Sequence, residues 1–180
     1  MDILSHALWG GAALGRKKRS DFLFAAAFSL MPDFLGEGIM FLLVFLGLPG
    51  MPGLEHGHPD ISEFPPYAQG FYDATHSLVV FSLVFALVWL LKKKAFLPLA
   101  AWGLHVLIDI PTHSFKLFPT PFLWPLSNLK VDGIGWDSPL ILLPNYALLF
   151  ILYFLWFYKR RAKQARERIA EKSQGRIAKM

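Results

Sequence analysis

The sequence contains no cysteine. Disulfides and thiolate metal ligands are therefore excluded, and any metal site must be built from histidine and carboxylate. The first residues, with Asp2 and His6, lack a basic n-region and a clear cleavage site, so no cleavable leader is expected. No internal repeat is visible in the 180 residues, a length that suits one domain and little more. Charge is scarce as well, since Asp, Glu, Lys and Arg together make up 17% of the chain.

Apolar residues take the place of charge. They reach 54% of the sequence, with 17 Phe, and mean hydropathy is +0.42. A soluble core of this size cannot hide so much apolar surface, which predicts that lipid covers part of it. The net charge of +5 raises the question of nucleic acid. Its distribution answers no. The bases fall into three clusters, Arg16–Arg19, Lys92–Lys94 and a tail from Lys159 to Lys179, with Lys116 and Lys130 standing alone. Each cluster abuts an apolar segment, as cytoplasmic loops do in membrane proteins, and none forms a basic face on a folded domain.

Five apolar segments follow from hydropathy and punctuation. Met1 to Gly15 is short, reaching about 22 Å as a helix against roughly 30 Å of hydrocarbon. Phe22 to Leu48 is long enough to cross, with a break around Pro32-Asp33 and Gly36-Glu37-Gly38. A break at membrane depth is tolerated where protein or a wet cavity covers it. Ala74 to Leu91, Ala95 to Thr112 and Ser138 to Tyr158 are further spans. Pro49 to Tyr72 and His113 to Asp137 read as polar loops. Placing the tail in the cytoplasm puts all three basic clusters inside and only Lys116 and Lys130 outside. The expected fold is thus all-α, a polytopic helical bundle of about four spanning helices plus a short N-terminal helix. Residues 1–158 form the membrane domain, and 159–180 form a basic cytoplasmic tail resting on the anionic inner leaflet.

In that topology His6, Asp33, His76, His105, Asp109 and His113 gather toward the outer face, although they come from four segments. His105, Asp109 and His113 are spaced i, i+4, i+8, which makes one stripe on a helix. Pro111 disturbs its last turn and sets His113 on an unwound end. Ionisable groups inside a membrane are costly and tend to be functional, so a convergent set is read as a site. Imidazole and carboxylate together suit Zn²⁺, Mn²⁺ or Fe²⁺, and six ligands exceed what one tetrahedral ion needs. Two or more ions are expected, bridged by Asp109. Glu37, one turn beyond Asp33, is either an acid/base group or a cavity-facing acid. His56 and His58, near Glu55 and Asp60, read as a solvated loop. Trp124, Trp136, Tyr67 and Tyr72 read as an interfacial aromatic belt.

Several strings carry a resemblance: Met-Asp-Ile-Leu-Ser-His-Ala-Leu-Trp-Gly-Gly around His6, Leu30-Met31-Pro32-Asp33, Ala74-Thr75-His76-Ser77, Gly103-Leu104-His105 through Asp109-Ile110-Pro111-Thr112-His113, and Phe122-Leu123-Trp124-Pro125-Leu126-Ser127. In this order, over residues 1 to 127, they resemble the YdjM-type family, whose members are taken to be inner-membrane metal-dependent hydrolases. That family is in turn similar to the all-helical zinc-dependent phospholipase C and P1 nuclease group. The resemblance implies a multinuclear zinc site that hydrolyses phosphate esters. In it Asp33 binds metal and orients the attacking water, and Asp109 bridges. The chain departs from the pattern at Phe71-Tyr72-Asp73-Ala74, where the family often has His-Arg, and at Leu35, where it often has a second Asp. No counterpart of the later His and Glu ligands follows His113.

The expected function is therefore a membrane-bound hydrolase using one to three divalent ions, most simply zinc. Its substrate is a phosphate ester or a lipid-linked molecule concentrated at the membrane face. Bound metal would polarise a phosphoryl or acyl oxygen and lower the pKa of bound water toward about 7. The competing expectation is a non-catalytic metal-binding or transport protein that uses the same residues. A transporter needs a polar route to the inner face, whereas Val84 to Leu91 and Leu149 to Phe157 are apolar.

Overall fold

The computed structural model describes residues 1–52, 61–116 and 118–177, with the side chains of the last helix as far as Arg168. The His56–His58 loop lies outside the described residues. The fold is all-α, with seven α-helices and no strand among the described residues. The chain forms two compact units, Met1–Leu143 and Pro144–Met180.

Helix α1, Ile3–Leu14, is started by Asp2, whose carboxylate accepts the Ser5 N–H at 2.9 Å. A side-chain acceptor there satisfies one of the donors that a helix start leaves open. Helix α2, Arg19–Leu35, packs against both α1 and α6, Ala100–Thr112, and these three form the centre of the first unit. The α1–α2 contact is close enough to require glycine. A Cβ on Gly10 would lie 2.5 Å from Ser29 Cβ and 3.0 Å from the Ala25 carbonyl.

The expected break in the second apolar run is present, and it falls at Gly36. Pro32 sits inside α2, which continues to Leu35 and bends by 46° into α3, Glu37–Phe45. Proline removes only its own donor, and the Gly36 N–H closes the last turn on the Pro32 carbonyl at 2.7 Å. Pro111 likewise lies inside α6, and His113 beyond it is extended.

A larger difference lies in the segment read as loop to Tyr72. Residues Pro66–Thr75 form helix α4, which bends by 59° into α5, Leu78–Lys92. Pro65-Pro66 is the reason. Proline breaks a helix interior but suits its first turn, where its fixed φ is already helical and no N–H is needed. Tyr72 consequently leaves the aromatic belt expected for it. It is fully buried with Met40, Phe64, Ala68 and Phe118.

Helix α5 buries none of its residues, and Leu83, Leu87, Leu90 and Leu91 are all exposed. Helix α7, Pro139–Ile177, is long and apolar enough over Pro139–Arg168 to cross a membrane by itself. The bent pairs α2–α3 and α4–α5 each satisfy the same criterion when taken as one broken span, while α1 and the stretch Leu97–Thr112 are shorter apolar helices.

Candidate metal centre

Helix α1 brings His6 to the buried face of α6, where its Nε2 lies 2.9 Å from Asp109 Oδ1. Its ring also lies against His105, with centroids 3.7 Å apart. Asp33 comes from the last turn of α2. His105 and Asp109 share the buried face of α6, one turn apart, with His105 Nε2 2.9 Å from Asp109 Oδ2. His6, Asp33, His105 and Asp109 thus form a buried group that could hold a metal ion, one donor atom from each lying within 4.8 Å of the others.

His76 stands at the bend between α4 and α5. It caps the end of α4, and Ser77 starts α5 by accepting the Val79 and Val80 N–H groups. The bend is pinned from two sides. Trp102 of α6 donates its indole N–H to the Thr75 carbonyl at 2.6 Å, and the Phe122 carbonyl accepts the Leu78 N–H at 2.9 Å. Gly36 completes the fit, because a Cβ there would come within 2.9 Å of Thr75 Oγ1 and 3.3 Å of His76 Cε1. This approach places Glu37, a residue the sequence left between two roles, beside Asp33 and His76 in a second group of possible ligands.

The protonation pattern follows from the neighbours. His76 Nδ1 lies 3.1 Å from the Tyr72 carbonyl oxygen, and His105 Nδ1 lies 2.7 Å from that of Ser29. A carbonyl only accepts, so each Nδ1 carries a proton, and in its neutral form each ring turns an Nε2 lone pair inward. Outer hydrogen bonds of this kind fix the tautomer of metal-binding histidines. The two Nε2 atoms are 3.3 Å apart. Asp33 Oδ1 lies 3.4 Å from the first and 3.2 Å from the second. Asp109 Oδ2, also buried, makes no hydrogen bond. Carboxylate oxygens and imidazole nitrogens are thus crowded in a buried space, an arrangement that positive charge stabilises, whether from a bound divalent ion, a protonated ring or the Met1 ammonium. The donor set of imidazole nitrogen and carboxylate oxygen fits a divalent transition ion.

His113 is held apart from both groups. Its Nε2 is 3.9 Å from Asp109 Oδ1 and 3.3 Å from the Met1 amino nitrogen, which itself donates to Asp109 Oδ1. The far end of the second loop backs it, with the Gly133 N–H donating to the His113 carbonyl at 2.8 Å. Burial pushes its pKa down to about 3, so the ring is neutral at physiological pH, the form that can ligate.

A cavity of about 390 Å³ adjoins the centre. Its walls include the ionisable Asp33, Glu37 and His113 and the apolar Ile3, Phe34, Phe41 and Trp136. Trp136, expected at an interface, lines this cavity. Tyr72 is the other contributor missed in the sequence. Its ring stacks on His76 at 4.1 Å, its carbonyl faces His76 Nδ1, and its hydroxyl donates to the Phe118 carbonyl. Neither residue carries a local signal, because their role depends on the α4 helix and on the return of a distant loop. No protein-family model, curated protein or solved structure matches the chain.

Proposed function

We propose that this chain is a multi-pass membrane hydrolase of the YdjM-type kind, using divalent metal, most simply zinc, to cleave a phosphate ester on a lipid or lipid-linked substrate. The observation that carries the reading is the inward-facing set of His76, His105, Asp33 and Asp109 beside a cavity lined by both ionisable and apolar side chains. Four spans are assigned to the α2–α3 pair, the α4–α5 pair, the stretch ending in α6, and α7. The basic clusters then lie in the cytoplasm, together with the C-terminus, as the positive-inside rule requires.

Bound divalent metal would supply Lewis acidity and lower the pKa of water held at the site. The chain's own residues do the rest. His6, His105 and Asp109 hold the buried side. Asp33, which faces both this group and the cavity, is placed to bind metal and to orient a water entering from it. Asp33, Glu37 and His113 would meet the reacting group, while Ile3, Phe34 and Phe41 would accept apolar chain. An amphiphile suits a lining of both kinds.

A second reading has its own support. The group of His6, Asp33, His105 and Asp109 supplies four protein ligands and is buried, the arrangement of a closed, non-catalytic site. Metal analysis of detergent-purified protein, paired with a hydrolase screen of the wild type and Asp109→Ala, separates the two. The hydrolase predicts bound metal and an activity that Asp109→Ala abolishes. Metal with no activity on any ester favours the closed site. Wild-type protein that is metal-free and cannot be reconstituted overturns both, and activity confined to soluble esters removes the lipid assignment.

A further inference from the structure

The helices that build the centre carry charge at their other ends. Asp33 lies in the last turn of α2, and His76 stands just before α5. With 17 residues in α2 and 15 in α5, the start of α2 and the end of α5 lie roughly 20–25 Å from the centre. These far ends meet. The Phe96 ring, which follows α5, packs edge-on against Phe24 and Phe28 of α2, with centroids 5.8 Å and 5.9 Å apart.

The meeting joins two basic turns that are distant in the sequence. Arg16, Lys17, Lys18 and Arg19 lead from α1 into α2, and Lys92, Lys93 and Lys94 close α5. All seven are exposed, and none is ion-paired with a carboxylate among the described residues. Acid is scarce around them. Asp21 is the one acidic residue from Ile3 to Pro32, and Ala74 to Ile108 contains none. Both turns are held in shape. Gly15 lets the first fold tightly, since a Cβ there would lie 2.2 Å from Phe22 Cα, and Arg16 donates its Nε to the Ala12 carbonyl. In the second, Lys92 Nζ sits over the Phe96 ring, 4.8 Å from its centroid, and Lys93 is left-handed with φ of 51°. Next to the charges the surface is apolar, because Leu23, Phe24, Leu90, Leu91 and Leu97 are all exposed.

We propose that this end of the first unit binds one anionic phospholipid, with its phosphate between the Arg16–Arg19 and Lys92–Lys94 turns and its chains along Leu23, Phe24, Leu91 and Leu97. This rests on reading the chain as a membrane protein, but not on its being a hydrolase. Like charges gathered on one small surface repel one another, and a phosphate among them relieves the repulsion. A soluble anion would answer the cations and leave the leucines and Phe24 bare. A neutral lipid would cover these and leave the cations unmatched. An anionic lipid does both, as lipid-binding basic pockets on the cytoplasmic side of membrane proteins do. Depth agrees as well, since the separation from the centre is most of the roughly 30 Å hydrocarbon core. A centre at the outer face therefore sets these turns among the inner head groups.

The test uses the full-length chain, delipidated in non-ionic detergent. Phosphatidylglycerol or phosphatidylcholine is added, and native mass spectrometry counts the lipids retained. The wild type should keep one phosphatidylglycerol per chain in preference to phosphatidylcholine. Lys17→Gln with Lys18→Gln, and separately Lys93→Gln with Lys94→Gln, should each weaken that binding by roughly tenfold or more. Arg160→Gln with Arg161→Gln, in the tail, should leave it unchanged. Equal retention of the two lipids overturns the proposal. So does phosphatidylglycerol binding that ignores both turns, which would put the lipid elsewhere, the cavity included, or binding that the tail variant weakens as much. Displacement by inorganic phosphate, but not by chloride at equal ionic strength, would mean a free-anion site and overturn the lipid assignment. Should one double variant fail to fold, the other and the wild-type preference decide. Hydrolysis without this lipid preference would sink the inference and leave the proposed function standing, while the preference without hydrolysis would do the reverse.

Discussion

At the scale of single residues, the side chains of the centre are ordered by what stands behind them. Tyr72 is the clearest case. Its hydroxyl holds the Phe118 carbonyl, and its ring and its own carbonyl hold His76. Tyr72→Phe removes only the first of these contacts. Leaving a buried acceptor without its donor costs roughly 1–3 kcal/mol. Thermal unfolding in detergent should therefore show a lowered midpoint, while the metal content stays unchanged because the stack and the carbonyl contact remain. A loss of metal in this variant would mean that the hydroxyl positions His76 in some further way. His6, Asp33, His105 and Asp109 were legible in the sequence because ionisable groups in apolar helices are costly and rarely idle. Glu37 was legible only as an acid one turn from Asp33. Its place beside His76 depends on a bend at Gly36 that no periodicity announces.

At the scale of elements, proline and glycine were the readable marks, and their position within an element was the part misread. Pro65-Pro66 opens a helix, Pro32 lies within one, and Gly36, one of the two break points expected, makes the bend. The same residue type breaks or starts a helix according to which backbone donor it removes, and that is fixed by tertiary packing. Close helix contact is a second element-scale property. Gly10→Ala drives a Cβ into Ser29 Cβ, which is fixed to the α2 backbone. Overpacking of this kind costs typically about 1–3 kcal/mol. The variant should unfold at a lower temperature and, since α1 carries His6, should bind metal more weakly. Unchanged stability would show that α1 can slide on α2 without strain.

At the scale of the molecule, apolar composition predicted an all-helical protein with surface left for lipid, and the exposed leucines of α5 agree with that. The number of spans is a separate matter, because it depends on whether each bent pair crosses as one unit. The absence of cysteine makes the natural chain a ready background for testing it. A single cysteine at Lys130 should react with a membrane-impermeant maleimide from outside intact cells, and one at Lys93 should react only after the membrane is opened. Labelling of both positions from the same side would refute the four-span arrangement. The position of the centre also bears on how the protein is made. His6 meets Asp109 across 103 residues, so the N-terminal helix is complete long before its partner exists. At about 5–20 residues per second, translation separates the two by roughly 5–20 s. For most of that interval Asp33 and Glu37 are present in the nascent chain without His105 or Asp109. The centre can therefore be assembled only after α6 has emerged from the ribosome, and metal insertion is a late event in biogenesis.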